Sequence, residues 1–219
     1  SAIARQGYTH VIVLMIAECL SSANNLMRLA AEEHPELTVK VFDSKSASIG
    51  LGALAVQVAR YAVRGVAFDP LCELTKRLID DTVVYFSLDT LEYLQRGGRI
   101  GRATALAGGL LQIKPILTFD RKDGMISTAA KVRGRRGVQQ RLIELATELA
   151  AKHPGEEYNL VVCDGNVPEE GAALEAALTC ALPNAHRVLH GKIDATLAVH
   201  LGPNLLGVGV QFLNSKLPA

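Results

Sequence analysis

The hydrophobic positions of this chain alternate between two rhythms. HVIVLMIA, His10 to Ala17, is a continuous apolar run with β-branched residues, the pattern of a strand buried on both faces. In ECLSSANNLMRLAAEEH, Leu26, Leu29 and Ala30 recur on one helical face, with Ser21 or Ser22 as the N-cap. LTVKVFDS repeats the strand pattern, KSASIGLG is a loop of small residues, and ALAVQVARYAVRG is a helix closed by Gly65. Strand, helix, strand, helix predicts a parallel sheet with right-handed crossovers. Ligands of such sheets lie beyond the carboxyl ends of the strands, where the loops CLSSANN and DSKSASIG fall. Capping and turn chemistry also accounts for each of these serines.

After a helix around PLCELTKRLIDD the rhythm changes. TVVYFSL is a strand, and DTLEYLQRGGRIGRATALAGGLL reads as a helix broken at Gly97-Gly98 followed by a second helix. KPILTFDRKDGMISTAAKV is two strands joined at Lys122-Asp123-Gly124, a hairpin and so an antiparallel sheet. RRGVQQRLIELATELAAKH is an amphipathic helix, EYNLVVCDG a strand, PEEGAALEAALTCAL a helix with Pro168 near its start, and HRVLHGKI and LLGVGVQF are strands. The expected fold is therefore α/β in two domains. Residues 1–82 form the first, with a parallel Rossmann-like sheet, and residues 83–219 the second, with a mixed or antiparallel sheet flanked by helices. The first strand begins within ten residues of the start with no element expected before it, so either a preceding segment is absent or the fold begins abruptly.

Composition narrows the functional classes. With 219 residues, 49% of them hydrophobic, the chain can bury a sizeable core. A net charge of +1 gives no reason to expect nucleic acid or an anionic membrane as partner. No run approaches the length of a membrane span and no signal peptide is visible, which predicts a cytoplasmic protein. The four cysteines lack metal or redox spacing, and three of them fall in apolar stretches that read as core, so neither a metal nor a disulfide is expected.

Three motifs carry candidate chemistry. LQRGGRIGR suits either a helix end with a solvated turn or a phosphate clamp built on Arg99 and Arg102. KVRGRRG, Lys131 to Gly137, is basic without an aromatic, which disfavours base stacking; it fits a solvated loop, an acidic protein surface or a phosphate. His200, where AVHLGP leaves an apolar run for a turn, is either a hydrogen-bonded structural histidine or a donor to a carboxylate. No nucleophile elbow and no paired carboxylates stand beside it, so catalysis has little support.

Taken in order, VFDSKSASIGLG, DTLEYLQRGGRIG, LLQIKPIL, KVRGRRG and VHLGPNLLGVG resemble the DegV family over nearly the whole chain. The resemblance implies a protein that buries one long-chain fatty acid between two α/β domains and is similar to the fatty-acid-binding subunits of bacterial fatty acid kinases, which feed phospholipid metabolism. By it, LSSANN takes the place of the family's L-S-G-T-Y-Q loop, Ser21 matches the serine that holds the carboxylate, Ser22 lies beside it, and His200 reaches the same carboxylate from the other domain. Arg133 and Arg135 would dock a separate kinase subunit that forms the acyl phosphate; no cofactor is implied. The sequence departs from the family where Gly-Thr-Tyr becomes Ser22-Ala23-Asn24 and where Gly becomes Asn204. The family's early Asp-Ser segment and its Thr-Ser-x-Pro loop, whose threonine also holds the carboxylate, have no counterpart here. The competing expectation is an enzyme acting on a small phosphorylated metabolite through Arg99, Arg102 and the serine loops.

Overall fold

The computed structural model describes residues 2–106 and 113–213. A single helical turn, α1 (Ala2–Arg5), precedes β1 (His10–Met15), where no leading element was expected. Then come α2 (Ala23–Glu32), β2 (Thr38–Asp43), α3 (Ile49–Val63) and α4 (Phe68–Asp80). The second half runs β3 (Thr82–Ser87), α5 (Glu92–Arg96), a 3-10 turn (Gly101–Leu106), β4 (Ile113–Phe119), β5 (Ile126–Arg133) and α6 (Gly134–Ala151). It ends with β6 (Tyr158–Asp164), α7 (Pro168–Ala181), β7 (Arg187–Lys192), α8 (Ala195–Leu201) and β8 (Leu206–Phe212). Only the first part of the helix expected after Gly98 falls within the described residues, and there it is the 3-10 turn.

The fold is α/β with a small parallel sheet, β1-β2, and a larger mixed sheet of order β5-β4-β3-β8-β6-β7. In the larger sheet β3 pairs antiparallel with β4 and β8, β6 pairs antiparallel with β8, and β6 pairs parallel with β7. Strand β6 shows how sequence alternation builds two layers. Leu160 and Val162 point to a cluster with Leu142 of α6 and Leu174 of α7, while Val161 and Cys163 point to the other face, with Ile49 and Ala53 of α3.

Helix α3 is apolar nearly all round, and the fold buries two adjoining strips of it. Ile49 and Ala53 face the large sheet, whereas Leu54, Val58 and Tyr61 pack with Leu71, Leu74 and Leu78 of α4 and with Ile12 and Leu14 of β1. A polar line runs beneath the helix. Asn159, fully buried, donates to Gln57 of α3 at 3.3 Å and to Gln211 of β8 at 3.1 Å, and Gln211 donates to Thr82 at 3.2 Å.

Three further expectations fail. Strand β1 is only partly buried, because among the described residues its single strand partner is β2. Leu26 and Leu29 of α2 are 63% and 58% exposed, so the helical spacing was real but the face it marks is uncovered among the described residues. Of the cysteines, Cys72 and Cys163 are buried while Cys19 and Cys180 are exposed, so two rather than three sit in the core; Cys180 lies near the end of α7 on its outer side.

Removing Asn159 takes the donor away from the buried amide oxygens of Gln57 and Gln211, so Asn159→Ala is expected to lower unfolding stability by about 1–3 kcal/mol, read as a lower urea midpoint at unchanged slope.

Candidate functional site

A cavity of about 310 Å³ lies where the loops of the small sheet meet the large one, near the lower end of the range for small-molecule sites. Its walls are mostly apolar: Ile16 and Leu20 follow β1, Ile49 opens α3, Val84 and Phe86 come from β3, Phe119 from β4 and Cys163 from β6. The polar groups on the lining come from Ser21, Ser48, Arg99, Thr196 and His200. Arg99 joins two of these segments. Its Nε donates to the carbonyl of Leu20 at 3.3 Å, beside Ser21, and its guanidinium also donates to the carbonyl of Gly97.

Gly97 in turn is where His200 rests. A Cβ added at Gly97 would lie 2.8 Å from His200 Nδ1, so this glycine provides room for the imidazole rather than a cradle for phosphate. His200 was expected at a strand-to-turn exit, but it occupies the last turn of α8. The helix follows from its ends: Asp194 caps it by accepting from the Leu197 amide at 2.9 Å, and Gly202, at φ +71°, turns the chain out of it. Gly202 is also pressed against Tyr93 of α5, whose ring atoms would lie within 2.6 Å of an added Cβ. Within this packing His200 Nδ1 is buried and has no hydrogen-bond partner among the described residues.

Ser21 is half-buried, and its Oγ accepts from the Ala23 amide at 3.3 Å as α2 begins. Ser22 is exposed, occupies the N-cap position without a side-chain bond and is not on the cavity lining. Ser48, Arg99 and Thr196 reach the lining although the sequence reading placed none of them on a carboxylate. Ser48 holds φ +52° and ψ −124°, a backbone state that costs a non-glycine residue about 1–3 kcal/mol, and its only sequence signal is the run of small residues around it.

The two arginines of the basic segment part company. Arg133 ends β5, exposed, immediately before α6. Arg135 is partly buried and donates through Nε to Glu170 at 2.7 Å and through Nη1 to the Asn204 carbonyl at 2.7 Å. Asn204 adopts φ +62°, a conformation that asparagine tolerates better than most residues, and donates to Asp89 Oδ2 at 2.6 Å. Burial alone would raise the Asp89 pKa, but the bonds from Asn204 and Lys114 and the nearby Arg135 hold it below the usual carboxylate range. Arg102, the other half of the imagined phosphate clamp, is committed to Asp120 at 3.2 Å and Asp123 at 2.5 Å. Burial, reinforced by Asp164, pushes the Cys163 thiol up to about 12, so at neutral pH it lines the cavity as a small hydrophobe and not as a nucleophile.

Residues 1–213 match the family described as "Uncharacterised protein, DegV family". This chain belongs to the DegV family. A DegV domain-containing protein of Clostridium perfringens is 34% identical over 206 residues, covering 94% of this chain and 72% of its own length. Among solved DegV structures, the fatty-acid-binding protein from Thermus thermophilus superposes with a TM-score of 0.89 at 29% identity, over 97% of this chain and 74% of that one. The DegV fatty acid binding protein from Bacillus subtilis superposes with a TM-score of 0.83 at 28% identity, over 94% and 72% of the two chains. Among the described residues no helix of this DegV chain is long and apolar enough to cross a membrane.

Because Gly97 is needed for space beside His200 and the Tyr93 carbonyl, Gly97→Ala is expected to cost about 1–3 kcal/mol of stability, measured by urea unfolding; an unchanged midpoint would mean that the α5–α8 contact is loose.

Proposed function

We propose that this protein binds one long-chain fatty acid in the cavity, with its carboxylate held by Ser21 and His200, and acts as a carrier rather than a catalyst. The observation that carries the reading is the placement of Ser21 and His200 on one cavity whose remaining walls are largely apolar. A hydroxyl and an imidazole are suitable partners for a carboxylate, and each buried methylene contributes about 0.8 kcal/mol. A sixteen-carbon tail therefore supplies on the order of 10 kcal/mol before ordering costs, enough for tight binding. Solved DegV relatives described as fatty acid binding proteins support the same class of ligand. The protonated state of the Cys163 thiol favours carriage over covalent chemistry.

The carried acid is handed, in this reading, to a separate fatty acid kinase that phosphorylates its carboxylate in the cytoplasm. Arg133 docks that kinase, since it stands exposed at the junction of β5 and α6 and is not among the residues of the cavity wall. Arg135, sharing the segment, serves instead to fasten the Asn204 turn to α7 through Glu170.

Two outcomes test this. His200→Ala and Ser21→Ala are each expected to weaken palmitate binding by about 1.5–3 kcal/mol, about 10- to 150-fold in Kd, with the fold retained; unchanged titrations in both would withdraw the carboxylate site. Arg133→Ala is expected to leave palmitate affinity unchanged while slowing phosphorylation in a reconstituted kinase assay, a loss that added salt reproduces in the unaltered protein. Loss of lipid binding, or an unaltered rate, would remove the docking role.

A further inference from the structure

A second, much smaller cavity of about 20 Å³, room for about one water, borders the first. Its lining includes Lys45, Ser46, Thr82 and Arg121, and among the described residues it shares Val84 and Phe119 with the main cavity's lining. These two residues form the partition. Strands β3 and β4 hold them side by side: Tyr85 pairs with Thr118, and the Thr118 hydroxyl donates to the Val84 carbonyl at 2.7 Å. Val84 is a short side chain, 5% exposed and part of the core cluster, so little can be gained or lost there. Phe119 is larger, only partly buried, and ends β4 just before the turn that leads to β5, with its ring 5.4 Å from that of Phe86.

We propose that Phe119 sets the longest acyl chain the protein accepts, by closing the main cavity against the smaller one. This rests on the fatty-acid reading above. The polar atoms of the main cavity lie at Ser21, Ser48, Arg99, Thr196 and His200, so the Val84–Phe119 wall, which carries none, borders the hydrocarbon part of a bound acid. A tail that fits gains about fourfold in Kd per methylene, and one that is too long must displace the ring or leave methylenes in water. Shortening the ring joins the two cavities and moves that limit outward.

The test titrates myristate, palmitate, stearate and arachidate against the unaltered protein, Phe119→Leu and Phe119→Ala, with circular dichroism confirming that each is folded. The expected result is a shift of the tightest-bound length to longer acids, larger for alanine than for leucine, with each newly accommodated methylene gaining up to about fourfold. Should the alanine variant fail to fold, the leucine variant decides by the same shift. An unchanged length preference in folded variants that still bind fatty acid overturns the role of Phe119 alone. No binding of any length by the unaltered protein overturns the fatty-acid reading and this inference with it.

Discussion

Helix α3 carries two adjoining apolar strips that must be covered, and most of the architecture follows from meeting that demand. One strip presents Ile49 and Ala53 to the large mixed sheet, the other presents Leu54, Val58 and Tyr61 to α4 and β1. Either strip left uncovered would expose its apolar side chains to water, so the two sheets are bound to adjoining strips of one buried half of this helix. The amide line from Gln57 through Asn159 to Gln211 adds direction to this contact, since hydrogen bonds fix a register that apolar packing leaves adjustable. The beginning of α3 then arrives, with Ser48 and Ile49, at the junction where the cavity lies.

The cavity's chemistry divides along the same line. Loops at the carboxyl ends of β1 and β2 bring Ser21 and Ser48, the turn after α5 brings Arg99 and α8 brings His200, while the strands of the large sheet contribute almost wholly apolar walls. Arg99 connects the two polar sources, bonding to Leu20 beside Ser21 and to Gly97 beneath His200. The motif that looked like a phosphate clamp is thus a clasp. Its glycine admits the imidazole, its first arginine ties the serine loop down, and its second arginine is paired with Asp120 and Asp123.

Much of the fold was legible because strand and helix periods differ so clearly in this chain: the β4–β5 hairpin, the amphipathic α6 and the apolar β6 and β8 all stand where their patterns put them. Local pattern could not reveal what covers an element. It gave β1 two buried faces and α2 a buried stripe, but burial depends on neighbours, and Leu26 and Leu29 have too few among the described residues. Helix α8 was missed because its seven residues are mostly apolar and short, although the Asp194 cap and Gly202 were its readable ends. Ser21 and His200 stood out by their local settings and were joined on one carboxylate by family resemblance, whereas Ser48, Arg99 and Thr196 meet them on the lining only through tertiary contacts. Arg135 illustrates the same limit, since a basic segment in sequence does not say which guanidinium turns inward to Glu170 and Asn204.

The central claim is that a fatty acid lies in this cavity with its carboxylate between Ser21 and His200. A crystal structure of the unaltered protein grown with palmitate tests it most directly. The account predicts continuous density for the acyl chain along Ile49, Val84 and Phe86, ending in a carboxylate within hydrogen-bond distance of Ser21 Oγ and the His200 ring. Palmitate bound elsewhere on the protein, or bound in the cavity with its carboxylate away from both residues, would contradict it.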